Sequence, residues 1–193
     1  MIKIFITVMT FASLLFVYSC SPVGVLASGG ATTMVIAEGD RSLGAVVDDA
    51  TIKLNLAQKF LKAENNLFIN LNTNVIEGRV LLTGVVDTQE IRIDAIRKVW
   101  EITGVKEVIN EIEVGDKTTL KEYANDLWIN TQVRSLAAKN IGLRVISYNF
   151  ETIKGKVYIA GITSRPEQLD KIIEVTKTVK GVKEIVNYVV VKE

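Results

Sequence analysis

Few side chains in this sequence could act as nucleophiles, general bases or metal ligands. The chain of 193 residues has no histidine and a single cysteine, Cys20. Without histidine, Ser-His and Cys-His nucleophilic chemistry is excluded, as are most zinc sites. The adjacent carboxylates of Asp48 and Asp49 would point to different faces of a helix, so we interpret them as charges near a helix N-terminus, not as a catalytic pair. Covalent modification of the Cys20 thiol is the chemistry that remains.

Motifs of known enzyme classes are also missing. The sequence has no Walker loop, no G-x-S-x-G elbow and no Rossmann glycine fingerprint. Four glycines are interpreted as turn and strand-end residues instead of phosphate-binding residues: Gly78, Gly84, Gly155 and Gly161. The sequence therefore predicts a protein that is not an enzyme and has no metal site and no cofactor.

Cys20 ends a segment that is typical of exported proteins. An apolar run of about 15 residues follows Lys3, which is shorter than the roughly 20 residues needed to span a bilayer and suits a secretory signal. The tetrapeptide "VYSC" (Val17–Cys20) resembles a bacterial lipobox, in which the cysteine becomes the acylated N-terminus. This pattern predicts a lipoprotein signal peptide over residues 1–20, and Ser21 favours delivery to the outer membrane. Cleavage after Ala27 is the alternative, and it would leave a soluble periplasmic protein.

Residues 21–45 are rich in glycine, serine, alanine and threonine and have no sustained hydrophobic period. Such a composition predicts a flexible tether between the anchor and the folded part of the chain.

The rest of the chain is an internal duplication. A shift of 77 residues aligns "EGRVLLTG" with "KGKVYIAG" and "GVKEVIN" with "GVKEIVN" without a gap. About a quarter of the aligned pairs are identical, which is several times the chance level. We therefore predict two similar domains, at residues 46–116 and 117–193.

Each copy shows the same order of elements, αββαβ. Two β-rich runs meet at Gly78 or Gly155 and predict a hairpin, and Ser164 is the predicted N-cap of the second helix of copy two. The expected fold class is α+β, with two helices covering one face of a small mixed three-stranded sheet in each domain. Domains of this size bury little surface alone, so we expect them to pack against each other. The predicted helices are about Val47–Glu64 and Thr88–Ile102 in copy one, and Leu120–Asn140 and Pro166–Val179 in copy two.

The first helix of copy two has large apolar residues outside its core stripe. Ile129, Val133 and Ala137 form the expected buried stripe, and Trp128 lies on its flank, where copy one has Thr51. Thr119 and Glu122 form a possible capping box, so the helix is expected to begin near Leu120. The predicted surface patch consists of Leu120, Tyr123, Leu127 and Trp128. Tyrosine and tryptophan favour the membrane interface, where one end of the ring is apolar and the other meets water.

Charge favours the same helix. Residues 48–116 carry eight basic and twelve acidic side chains, whereas residues 117–193 carry thirteen basic and eight acidic ones. Basic side chains near an anionic bilayer each contribute about 1 kcal/mol, so Lys121 and Arg134 are predicted to assist lipid binding, together with Lys117 and Lys139. A second interpretation stays open, in which Trp128 and its neighbours fill the interface between an acidic and a basic domain. Nucleic acid is disfavoured as a partner because an exported protein seldom meets it.

Both copies resemble the BON domain, a small αββαβ module. The segments "DRSLGAVVDD", "VINEI" and "NDLWINTQVRS" resemble the corresponding parts of the dual BON-domain lipoproteins of the bacterial outer membrane. The resemblance implies a non-enzymatic protein on the periplasmic face of the outer membrane that supports envelope integrity. It also implies binding of anionic phospholipid, phosphatidylglycerol or cardiolipin, through the helix that carries Trp128, Ile129, Val133 and Arg134. The alternative function is an adaptor that docks onto an envelope protein assembly through a helix or a strand edge.

Overall fold

The structure is a computed structural model that describes residues 42–63 and 67–192. The predicted signal peptide, Cys20 and the predicted tether up to Arg41 lie outside the described residues. The first helix begins at Leu43, earlier than the predicted Val47, because the Ser42 hydroxyl caps it by accepting a hydrogen bond from the amide of Ala45 at 3.2 Å. The elements of repeat one are α1 (Leu43–Leu61), α2 (Leu67–Asn70), β1 (Leu71–Ile76), β2 (Arg79–Val86), α3 (Gln89–Trp100) and β3 (Glu107–Val114).

Repeat two has the same order of main elements, and a 3₁₀ helix stands where repeat one has α2. Ser164 is not the N-cap of its second helix: Arg165 takes that position without a side-chain hydrogen bond, and its amide donates to the Thr163 hydroxyl at 3.1 Å. The elements are α4 (Leu120–Ile141), the 3₁₀ helix (Gly142–Ser147), β4 (Tyr148–Ile153), β5 (Lys156–Thr163), α5 (Pro166–Lys177) and β6 (Glu184–Val191).

The two sheets confirm the predicted α+β class. In each, a hairpin pairs the first two strands antiparallel, and the last strand returns parallel to the second, giving the orders β1-β2-β3 and β4-β5-β6. Two long helices cover one face of each sheet, as the αββαβ pattern predicts. The middle strands β2 and β5 are buried along nearly their whole length.

A buried aspartate holds each hairpin turn. The Asp49 carboxylate accepts hydrogen bonds from the amides of Glu77 and Gly78, both at 2.8 Å, and Asp126 does the same for Lys154 and Gly155 at 2.7 and 2.8 Å. The turn residues have positive φ angles, 51° at Glu77 and 80° at Gly78, which is the geometry of the tight turns that match strand twist. Asp49 is therefore a turn-capping residue and not a solvated charge at a helix N-terminus.

The two repeats pack sheet against sheet, which confirms that they contact each other. Alternate residues of β2 belong to different cores: Val80 and Leu82 pack under α1 and α3, whereas Leu81 and Val85 face repeat two. The side chains from repeat two in this shared core are Ile153, Tyr158, Ala160 and Ile162. The middle strands are buried on both faces for this reason, and this explains their nearly continuous apolar sequences.

The contact between repeats is reciprocal. Strand β1 contacts β5, and its equivalent β4 contacts β2. The Tyr188 hydroxyl donates to the Glu111 carboxylate, at positions that are equivalent in the two repeats. Such reciprocity is the mark of an approximate twofold relation. Two ion pairs also join the repeats, Lys192 with Glu77 at 2.5 Å and Lys154 with Glu113 at 3.9 Å. Repeat two contributes the lysine in both pairs.

Candidate functional site

Helix α4 begins at the capping box that the sequence predicts. The Thr119 hydroxyl accepts from the Glu122 amide at 3.2 Å, and the Glu122 carboxylate accepts from the Thr119 amide at 2.9 Å. The backbone hydrogen bond from Thr119 lowers the pKa of Glu122. This box fixes the start of the helix at Leu120 and thereby the directions of all its side chains.

The inner face of α4 matches the predicted stripe. Ile129, Val133 and Ala137 are fully buried and pack on the core that contains Tyr148 and Phe150. The anchored carboxylate of Asp126 joins this inner face to the β4–β5 turn. Burial raises the pKa of Asp126, and the two backbone hydrogen bonds act in the opposite direction.

The outer face of α4 leaves the predicted patch residues accessible. The relative exposures are 84% for Leu120, 61% for Tyr123, 57% for Leu127 and 47% for Trp128. Trp128 and Leu127 lie about 100° apart around the helix, so the patch wraps the outside of α4. Lys121, also exposed, lies on the same flank as Trp128, seven residues away along the helix.

None of these four side chains fills the space between the repeats. The shared core is built from sheet residues alone, and all four patch residues are exposed. The interpretation in which Trp128 seals the domain interface is therefore wrong. The interface uses the faces of the sheets opposite the helices, which leaves the outer faces of α1 and α4 at the surface.

Arg134 does not share the flank of Trp128. Its guanidinium carbon lies 5.8 Å from the centre of the Phe150 ring, on edge strand β4, a geometry that suits a cation–π contact. It also lines a shallow groove of about 400 Å³ along α4 with Leu127, Asn130, Thr131, Ser135 and Ala138. Arg134 thus extends toward strand β4, at the boundary between the repeats.

Glu151 is a half-buried acidic group at the boundary between the repeats. Its carboxylate accepts a hydrogen bond from the Asn72 side-chain amide of repeat one at 3.0 Å. Burial raises the pKa of Glu151 to about 7, with Arg134 and Lys53 opposing the shift and Asp126 adding to it. A cavity of about 280 Å³ lies beside it, lined by residues of α1, α2 and β1 that include Lys53 and Phe68.

Two further lysines near α4 come from outside the helix, and inspection of α4 alone misses them. Lys180 and Lys183 flank Gly181, whose backbone approaches α4 so closely that an added Cβ would lie 3.1 Å from the Ile129 side chain. Lys183 also contributes to the electrostatics of Asp126 and Glu122. The repeat alignment contains a signal for Lys180, because it places Lys180 opposite Thr103, whereas Lys183 aligns with another lysine, Lys106.

Neither metal binding nor membrane spanning is indicated in the described part of the chain. Within residues 42–63 and 67–192, histidine, cysteine and acidic side chains form no group of three or more that could hold a metal ion. The helices described there include none that is both long and apolar enough to cross a bilayer.

The family assignment rests on both repeats. The BON domain family matches residues 48–116 and 125–193. The chain belongs to the BON-domain family. Its two BON domains correspond to the two sheets described above.

Several relatives match this chain over most of their length. The outer membrane lipoprotein DolP of Haemophilus influenzae is 29% identical over 89% of this chain and 88% of its own length. A protein of Anaplasma centrale, named for the gshII 5' region, is 38% identical over 76% of this chain and 96% of its own length. The 21 kDa hemolysin of Actinobacillus pleuropneumoniae is 31% identical over 77% of this chain and 78% of its own length.

Proposed function

We propose that this dual BON-domain protein binds anionic phospholipid, phosphatidylglycerol or cardiolipin, through the outer face of α4. In this proposal acylated Cys20 anchors it to the periplasmic face of the outer membrane of a Gram-negative bacterium, where it supports envelope integrity without catalysis. The observation that carries the proposal is the exposed Trp128 indole on a capped helix whose inner face is already satisfied. The similarity to the outer membrane lipoprotein DolP supports an envelope-associated role.

The patch residues lose unfavourable water contact when they enter a bilayer interface. Leu120 and Leu127 offer apolar surface, and Tyr123 and Trp128 are the two side chains that combine apolar rings with a polar edge. If the exposed half of the indole loses about 100 Å² of water contact, the gain is about 2 kcal/mol. Lys121, on the flank of Trp128, adds electrostatic attraction to an anionic surface.

Replacement of Trp128 by alanine tests the proposal. We expect Trp128→Ala to bind phosphatidylglycerol vesicles about thirtyfold more weakly in a sedimentation assay, since about 2 kcal/mol corresponds to that factor. Trp100→Ala is the matched control, because Trp100 is 53% exposed on α3 of the other repeat. Equal binding by the two variants and the wild type would exclude the proposal. In a Trp100→Phe background, fluorescence of Trp128 should shift to the blue when these vesicles are added.

A second function is favoured by one feature of repeat one. Val47, Leu54 and Leu61 are spaced seven residues apart on α1 and are 52%, 59% and 62% exposed. This spacing forms a narrow apolar seam of the kind that receives a partner helix, and Ala50 and Ala57 fall between its members. Repeat two carries small or polar side chains at the three equivalent positions, namely Ala124, Thr131 and Ala138.

The seam supports the adaptor function, in which α1 docks onto an envelope protein. A photo-crosslinking residue at Leu54 should then capture one stoichiometric protein in the envelope, whereas the same residue at Trp128 should crosslink to lipid. If Leu54 captures no protein and Trp128→Ala abolishes vesicle binding, the adaptor function is excluded and the lipid function stands.

A further inference from the structure

Lipid binding by α4, as in the proposed function on which this site rests, requires a place for the phospholipid headgroup. In repeat one, a cavity of about 670 Å³ lies where the start of α1 meets the β1–β2 turn and the segment after α3. Thr51 and Ile52 line it from α1, and Thr103 and Lys106 line it from the segment before β3. Each residue that lines this cavity has an equivalent in repeat two, 77 residues later in the sequence. The same location can therefore be compared between the two repeats.

The lining residues differ in charge between the repeats. In repeat one the charged residues of the cavity are Asp48, Asp49, Glu77 and Lys106, with a net charge of −2. The equivalent positions in repeat two have a net charge of +2. The charged residues there are Lys121, Glu122, Asp126, Lys154, Lys180 and Lys183. Trp128 replaces Thr51 at the same place, so the change of charge and the appearance of the aromatic ring coincide.

The tertiary structure holds the two lysines of the α5–β6 segment against α4. The Lys183 amide donates to the Gly155 carbonyl at 2.9 Å, which fixes the segment to the β4–β5 turn. Gly181 packs on Ile129, the residue that follows Trp128. Lys180 and Lys183 are both exposed, so their ammonium groups are available to a ligand.

The acidic groups and Lys154 in this place are already engaged. Both oxygens of Asp126 accept hydrogen bonds from the turn, and Glu122 completes the capping box. The Lys154 ammonium donates to the Asp116 carbonyl at 3.2 Å and lies 3.9 Å from the Glu113 carboxylate of repeat one. The exposed lysines Lys121, Lys180 and Lys183 thus remain as cations around the first turns of α4.

We propose that Lys121, Lys180 and Lys183 form a binding site for the phosphate of an anionic phospholipid headgroup at the base of α4, next to Trp128. In this arrangement the Trp128 indole lies at the boundary between the lipid headgroups and the acyl chains, and the three ammonium groups contact the phosphate. The site is assembled from two segments about sixty residues apart in sequence, so it exists only in the folded repeat. Repeat one lacks it, because its version of the place is acidic.

Single lysine substitutions test this site. We expect Lys180→Thr, which introduces the residue found in repeat one, and Lys183→Thr each to weaken binding to phosphatidylglycerol vesicles about fivefold, with a reduced dependence on salt. Lys62→Thr is the matched control, since it removes the same charge from an exposed position in repeat one. The three substituted lysines, Lys62, Lys180 and Lys183, are exposed. Unchanged thermal denaturation of the variants would verify that they fold.

The outcomes separate the headgroup site from lipid binding itself. Equal affinity of Lys180→Thr, Lys183→Thr and Lys62→Thr, with Trp128→Ala still defective, would overturn the headgroup site and leave the proposed function intact. If the wild-type protein itself does not bind phosphatidylglycerol vesicles, the proposed function is overturned. Inorganic phosphate at constant ionic strength should not displace the protein from vesicles, and efficient displacement would identify a site for free phosphate instead of lipid.

Discussion

Replacement of Glu151 by glutamine is expected to remove a pH dependence from the stability of the protein. Glu151 is half-buried at the boundary between the repeats, and the loss of solvent there raises its pKa from 4.5 to about 7. The folded protein therefore keeps a proton on Glu151 up to about pH 7, whereas the unfolded chain releases it near pH 4.5. Because the folded state binds more protons within this window, the free energy of unfolding falls as the pH rises through it.

The magnitude follows from the two pKa values. Each pKa unit corresponds to about 1.4 kcal/mol, so the difference between 4.5 and about 7 amounts to at most about 3 to 4 kcal/mol. A glutamine keeps an oxygen that accepts from the Asn72 amide and carries no charge at either pH. We expect Glu151→Gln to become more stable relative to wild type by about 2 to 3 kcal/mol between about pH 5 and about pH 8.

Urea denaturation followed by circular dichroism at the two pH values measures this difference. Other carboxylates titrate in both proteins, and their contributions cancel in the comparison. Glu174→Gln is the control, because Glu174 is exposed and its pKa is lowered by a hydrogen bond from Lys171. A stability difference between Glu151→Gln and wild type that stays constant from about pH 5 to about pH 8 would refute the argument.

Two further substitutions test how the repeats are built. Asp49→Asn should lower the free energy of unfolding by about 1 to 3 kcal/mol, because an asparagine oxygen cannot replace both carboxylate oxygens that accept from the turn amides; an unchanged urea midpoint would contradict this. Gly84→Ala should destabilise by several kcal/mol in a thermal melt, since its Cβ would lie 2.2 Å from the Asn70 carbonyl oxygen. Gly44→Ala is the helical control, with open space around its Cβ, and should be neutral or stabilising by up to about 1 kcal/mol.

The sequence predicts much of this fold because its signals are local and duplicated. The Thr119 capping box, the hairpins at Gly78 and Gly155 and the core stripe through Ile129 and Val133 all depend on residues close together along the chain. The 77-residue repeat then doubles each signal, which makes chance agreement improbable. The αββαβ order could be predicted for this reason.

Contacts between distant segments could not be predicted in the same way. The sequence predicts Asp49 to be one of two acidic residues near a helix start. In the structure its carboxylate accepts a hydrogen bond from the amide of Glu77, in a turn 28 residues away. The surface of Trp128 was equally compatible with a bilayer or a domain interface, and only the packing of sheet on sheet left it exposed. Arg134 likewise has helix spacing that suits the patch, but it lies over Phe150.

By itself, the amino-acid sequence determined that the chain contains two BON-type repeats, because the hydrophobic period and the turn residues are local patterns and the duplication is visible when the sequence is aligned with itself. The tertiary structure decided which faces remain open and which charges meet, because these depend on how strands and helices from separate segments pack. The juxtaposition of Lys180 and Lys183 with α4, and of Glu151 with Asn72, exists only after the chain has closed on itself. Burial and distance, which set electrostatic strength, have no local sequence signal.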